Sequence, residues 1–198
     1  MPAPVWGGIP CTKGMRKGET MQTVTIEIFT FDELPESAKE TARQWYIAQG
    51  DCWHWQDEWW QSVQEFSDIA PIEVNSADYN RMHASTEWTE NIEIAYLSGL
   101  RAWKWLQNNG WFELANKNAM GDCTLTGYCG DCPLFDPIEQ YATKPLAVPE
   151  LGVLFEECIY SWLKAARADM EWHYSDEFID EHLEANSYQF TIDGKFYQ

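Results

Sequence analysis

Residues 21–31 (MQTVTIEIFTF) alternate in polarity. Val24, Ile26 and Ile28 fall on one face and Thr25, Glu27 and Phe29 on the other, a period of two that predicts a β-strand. The period then becomes helical. FDELPESAKETARQWY, residues 31–46, offers Asp32 or the Leu34-Pro35 break as a helix start, with Glu36 suited to the positive end of the helix. Ala38, Ala42, Trp45 and Tyr46 then form one apolar stripe, and Gly50 ends it. Residues 51–66 predict a second helix with Trp55, Trp59, Val63 and Phe66 on its inner face. Trp53 and Trp60 lie off that stripe, either as a second packing face or exposed.

Residues 70–90 are mixed, with a short strand at 72–74. Residues 91–108 read as one helix whose inner face is Ile92, Ala95, Tyr96, Gly99, Leu100, Trp103 and Leu106. A loop-rich middle covers 119–149. The longest helix begins at Pro149 or Glu150 and runs to Trp172, with Leu154, Cys158, Trp162 and Ala165 in helical spacing. A shorter helix over 175–185 is capped by Ser175. In 188–197, Tyr188, Phe190 and Ile192 alternate and Asp193-Gly194 marks a tight turn, so this segment is the expected strand partner of residues 22–29. The pattern predicts an α+β fold: a mainly helical single domain over 21–198, with a small antiparallel sheet pairing the N- and C-terminal strands.

Composition changes this picture through charge. Thirteen basic residues stand against thirty-two acidic ones, a formal net charge of −19 with a pI near 4.4. Such a surface repels nucleic acid and anionic membrane and attracts basic partners; its plainest effect is solubility. Twelve Trp in 198 residues argue against a disordered chain. No run of about eighteen apolar residues is present, so no membrane span is expected. Residues 1–20, rich in Gly and Pro, read as a flexible leader without an apolar signal core, and Arg16-Lys17-Gly18-Glu19 is a purine-codable run placed so that Met21 is a candidate natural start. Six Cys without an export signal point to reduced thiols.

FDEL-PES-AKE-TAR-Q-WY after a short strand resembles the start of a family of small acidic proteins encoded by bacteriophages and prophages. The tail, EWHYSDEFIDEHLEANSYQFTIDG at 171–194, is similar to that family's ending, and LTGYCGDCPLFDPI resembles a segment of some members. The resemblance implies a phage or prophage origin and a host bacterial cytoplasm. Members are described as antitoxin-like or of unknown function, and the resemblance brings no catalytic residues.

Two constellations carry candidate chemistry. Asp169, Glu171, Asp176, Glu177, Asp180, Glu181 and Glu184 contain no Lys or Arg between them. Asp176, Asp180 and Glu184 recur every four residues, with Glu177 and Glu181 beside them. Repulsion costs an isolated helix only about 0.2–0.5 kcal/mol per pair, so the strip is either a solvated face or a phosphate-like surface for a basic groove. Asp57 and Glu58, near Trp53 and Trp60, suit a protein–protein contact. Cys123, Cys129 and Cys132 offer three thiols in a Gly-containing loop, part of a zinc site if Asp122, Asp131, Cys11, Cys52 or a His supplies the fourth ligand; otherwise they pack as small apolar groups. His54, His83, His173 and His182 fit no catalytic or metal pattern, and no Gly-rich phosphate loop exists.

The expectation is therefore a non-catalytic inhibitor of a bacterial defence or toxin protein, in an anti-CRISPR, anti-restriction or antitoxin role. Its partner would be a basic nucleic-acid-binding protein, with no direct nucleic-acid or membrane binding and no required cofactor. The alternative is a metal-binding protein or enzyme built on the cysteine loop.

Overall fold

The computed structural model describes residues 25–49 and 55–197. The first strand, β1 (Phe29–Thr30), pairs antiparallel with the last, β4 (Gln189–Phe190), in the register Phe29↔Phe190 and Thr30↔Gln189. The expected pairing of the two ends is present but short: Ile26 and Ile28 precede β1 as exposed, non-strand residues, and Ile192 is exposed beyond β4. Positions 21–24 of the expected strand lie outside the described residues.

A 3₁₀ turn, Phe31–Glu33, leads from β1 into α1 (Glu36–Gln49). The Thr30 N–H donates to Glu33 Oε2 at 3.0 Å, which satisfies a donor at this helical entry. Ala38, Ala42 and Tyr46 of α1 are buried, as their spacing predicts, and meet Ile179 and Leu183 of α8 (Asp176–Ala185). Phe31, Leu34 and Phe190 complete this small core. Trp45 roofs it, stacked on Phe196 with ring centroids 4.0 Å apart and edge-on to Tyr188 and Phe190.

The larger core gathers α2 (Trp55–Ile69), α4 (Gly99–Asn108), α5 (Trp111–Ala119), α6 (Cys132–Glu139) and α7 (Leu151–His173) around Phe66, Trp111, Phe135 and Phe155. These rings meet edge-to-face or tilted at centroid distances of 4.9–6.2 Å, the geometry their quadrupoles favour. The expected stripe of α2 is buried at Trp59, Val63 and Phe66, and that of α7 at Leu154, Cys158 and Trp162. Among the described residues, no helix is long and apolar enough to cross a membrane.

Three expectations are corrected. Residues 91–108 form not one helix but α3 (Ile92–Ala95) and α4, because Gly99 adopts φ +56° and its N–H turns to the Val148 carbonyl at 2.8 Å. Leu151 N–H answers to the Leu97 carbonyl at 2.9 Å, so the break is tied to the start of α7. The interruption resets the helical phase: Ile92, Tyr96 and Leu100 are 56%, 65% and 44% exposed, while Ala95, Ala102 and Leu106 are buried. The short strand expected at 72–74 is present, but it extends as β2 (Ile72–Asp78) and pairs with β3 (His83–Trp88) in a hairpin, irregular between Val74 and Ser76, whose mostly polar side chains hid the rest of the alternation. The middle contains α6, where Pro133 in the first turn forfeits no intrahelical bond.

Gly194 is where the two chain ends fit most tightly. It has φ +81°, its N–H closes a turn on the Thr191 carbonyl at 2.8 Å, and an added Cβ would collide with the Ala38 carbonyl oxygen of α1. Gly194→Ala is expected to destabilise the chain by about 2–4 kcal/mol, read as a lower midpoint in thermal or urea unfolding. An unchanged midpoint would mean that the turn does not rest on α1.

Candidate functional site

The acidic strip of the last helix divides into two rows with different fates. Ser175 Oγ accepts from Phe178 N–H at 3.3 Å and starts α8 as its sequence predicts. Packing of Ile179 and Leu183 against α1 then turns Asp180 toward Arg43. Arg43 Nε and Nη2 each donate to one Asp180 carboxylate oxygen at 2.7 Å, a two-pronged pair that fixes direction as well as distance. The side chains are only 11% and 29% exposed. Glu36 and Glu40 lie 3.6 Å from the same guanidinium and Asp176 lies 3.9 Å away, so four carboxylates surround one cation. The hydrogen bonds to Asp180 raise the Arg43 pKa above its ordinary value, outweighing the opposing effect of burial.

Asp180 therefore belongs to the joint between α1 and α8, with Asp176 at its exposed edge, so the expected strip is not uniform in its pairing. Glu177, Glu181 and Glu184 remain exposed. Among the described residues, no salt bridge engages them. Their i, i+4, i+7 spacing puts them on one outward face.

Two further members of the expected site also have internal partners. Asp169 Oδ2 accepts from the Trp59 indole N–H at 2.9 Å, and its carbonyl oxygen lies 2.8 Å from His173 Nδ1. It fastens α7 to α2. Glu171 pairs with Arg167 one turn earlier at 2.8 Å. Asp57 is exposed and Glu58 partly so in the first turn of α2. Trp60 is partly buried against the larger core, so it packs more than it presents. Trp53 lies outside the described residues.

The sequence reading missed a groove of about 420 Å³ between β3 and α7. Met82, Ile159 and Leu163 give it apolar wall, and Glu156, Glu157, His83 and Tyr160 give it polar edge. Glu156-Glu157 in the long helix was the available signal. What it faced depended on β3, which the alternation did not reveal.

The cysteine loop is held by buried polar groups. Asp131 is fully buried: its Oδ2 accepts from the N–H groups of Leu125 and Thr126, both at 2.8 Å, and its Oδ1 accepts from Thr126 Oγ1 at 2.8 Å. Such complete satisfaction is what burial of a carboxylate demands. Buried Asn118 donates to the Leu114 carbonyl and to Thr124 Oγ1 and accepts from Thr124 N–H. Gly130 lies against α2, where a Cβ would meet Ser62 Oγ at 2.8 Å and the Trp59 ring at 3.3 Å.

Within this frame Cys123, at φ +45°, brings its Sγ to 3.8 Å from Cys132 Sγ. Cys132 Sγ also donates to the Asn118 carbonyl at 3.3 Å. Burial, then its contact with Cys123, pushes the Cys132 thiol up to about 11. Cys129 is exposed. Among the described residues, no three His, Cys, Asp or Glu side chains converge as a metal site. Asp131, offered above as a fourth ligand, spends its carboxylate on the loop itself, and Cys11 and Cys52 lie outside the described residues.

In comparisons with protein-family models, curated proteins and solved structures, nothing matches the chain.

The joint between α1 and α8 is testable. Arg43→Met leaves the half-buried Asp180 carboxylate without its bidentate donor and is expected to cost about 2 kcal/mol in chemical denaturation. In a double-mutant cycle with Asp180→Asn, the double variant should lose little more than either single one. Additive losses would mean that the two residues do not act as a pair.

Proposed function

We propose that this chain is a phage-encoded, non-catalytic inhibitor that offers an acidic surface to the basic nucleic-acid-binding site of a bacterial defence or toxin protein, in an anti-CRISPR, anti-restriction or antitoxin role. The observation that carries the reading is the outward row Glu177, Glu181 and Glu184, free of cationic partners among the described residues, on a chain of net charge −19. Arg43 draws the neighbouring row inward and locks α8 to α1, so the free carboxylates stand on a base already ordered before any partner arrives. Preordered charge loses little entropy on binding and speeds encounter with an oppositely charged surface. Glu156 and Glu157 at the β3–α7 groove extend the acidic character to a concave surface. The resemblance of both chain ends to small acidic phage proteins supplies the biological setting.

The test uses the full chain as bait in nuclease-treated bacterial lysate at low and high salt, followed by binding of the captured protein in purified form. Glu177→Lys, Glu181→Lys and Glu184→Lys combined should weaken that binding by about tenfold or more without moving the unfolding midpoint. Nucleic acid should compete for the same partner. Undiminished affinity of the triple variant, or no competition by nucleic acid, would overturn the reading. Asp176 and Asp180 are kept in this variant because their reversal would break the Arg43 joint and confuse binding with folding.

A further inference from the structure

Sequence spacing alone would pair Cys129 with Cys132, two thiols in a Cys-x-x-Cys run. The fold pairs different residues. Cys123 and Cys132 have their sulfurs 3.8 Å apart, in van der Waals contact, while Cys129 is exposed. We propose that Cys123 and Cys132 are an oxidisable dithiol, closed to a disulfide by exchange with a small-molecule disulfide of the glutathione class. This goes beyond the inhibitor reading and does not depend on it.

Three features of the loop support the pairing. The left-handed backbone of Cys123 turns its side chain toward the first turn of α6, where Cys132 sits. The hydrogen bonds from Leu125 and Thr126 to Asp131 hold the intervening chain as a closed loop, so the two thiols are already adjacent before reaction. Both residues are only partly buried, unlike the fully buried Cys158, whose thiol burial makes inert.

The chemistry balances in two steps. The Cys123 thiolate attacks one sulfur of the small disulfide, breaking its S–S bond, expelling one small thiolate and leaving a mixed disulfide on Cys123. Cys132 loses its proton to solvent, attacks the Cys123 sulfur and expels the second small thiolate. The two protein thiols lose two electrons, and the small disulfide gains them as two thiols that take up the two protons. Cys132 comes second because it is held as an S–H donor to the Asn118 carbonyl. Closing the bridge removes that hydrogen bond and encloses Leu125, Thr126 and Asp131 in one covalent ring.

The experiment incubates the reduced full chain with oxidised glutathione, blocks free thiols with N-ethylmaleimide and maps the peptides by mass spectrometry. The expected product is a Cys123–Cys132 bridge, lighter by two hydrogens and reopened by dithiothreitol, with Cys129 alkylated or glutathionylated. Cys129→Ser should form the same bridge, and Cys132→Ser should stop at a mixed disulfide on Cys123. In the bridged chain, hydrogen exchange at the Leu125 and Thr126 amides should slow by about threefold or more. A dominant bridge from Cys132 to Cys129, or from either sulfur to Cys11 or Cys52, would overturn the proposal. So would a product in which Cys123 and Cys132 are both alkylated while Cys129 carries glutathione.

Discussion

The contact between Trp59 on α2 and Trp162 on α7 is the joint around which the larger core is arranged. The Trp162 indole donates to the Trp59 carbonyl at 3.1 Å inside the core, and the Trp59 indole donates to Asp169 at 2.9 Å at its edge. The two rings meet at 6.3 Å. Indole suits this place because it adds a large apolar area while its single N–H still finds an acceptor. The same Trp59 ring forms the wall against which Gly130 lies, so the position of α2 on α7 also sets the position of the cysteine loop. Here the packing of two helices and the geometry of a thiol pair are one constraint.

Charge is managed by a comparable economy. A chain with a large excess of carboxylates has few cations to distribute, and self-repulsion works against the compact state. Arg43 answers this at the point where the two ends of the chain meet, taking Asp180 bidentately and drawing Glu36, Glu40 and Asp176 around it. The remaining acidic side chains of α8 face outward. The last helix thus has an inner row that helps hold the fold and an outer row available to a basic surface. That division gives the inhibitor reading a physical form which net charge alone lacks.

The sequence was most legible where local period and tertiary burial agree. Ala38, Ala42 and Tyr46 of α1, Trp59, Val63 and Phe66 of α2 and Leu154, Cys158 and Trp162 of α7 are buried where their spacing placed them, and the Ser175 start of α8 is where the chain signals it. Legibility failed where a long-range contact overrode the local pattern. Gly99 could have continued a helix, but its N–H found Val148 instead, and Ile92, Tyr96 and Leu100 came to face outward while Ala95 and Leu106 kept the inner face. The β2–β3 hairpin was obscured because polar residues fill most of its positions, leaving too little alternation to read.

By itself the sequence determined the mainly helical α+β character, the pairing of the two ends, the acidic surface and the presence of three thiols in one loop. Each follows from composition or from periods of two and 3.6 residues, which are properties of neighbours along the chain. Only the tertiary structure decided which carboxylates are free and which thiols are paired. Arg43 reaches Asp180 across 137 residues, and Cys123 displaces the sequence-adjacent Cys129 as the neighbour of Cys132. The physical reason is common to both: hydrogen bonds and sulfur contacts act over a few ångströms of space, and the packing of helices, not spacing in the chain, sets which groups come that close.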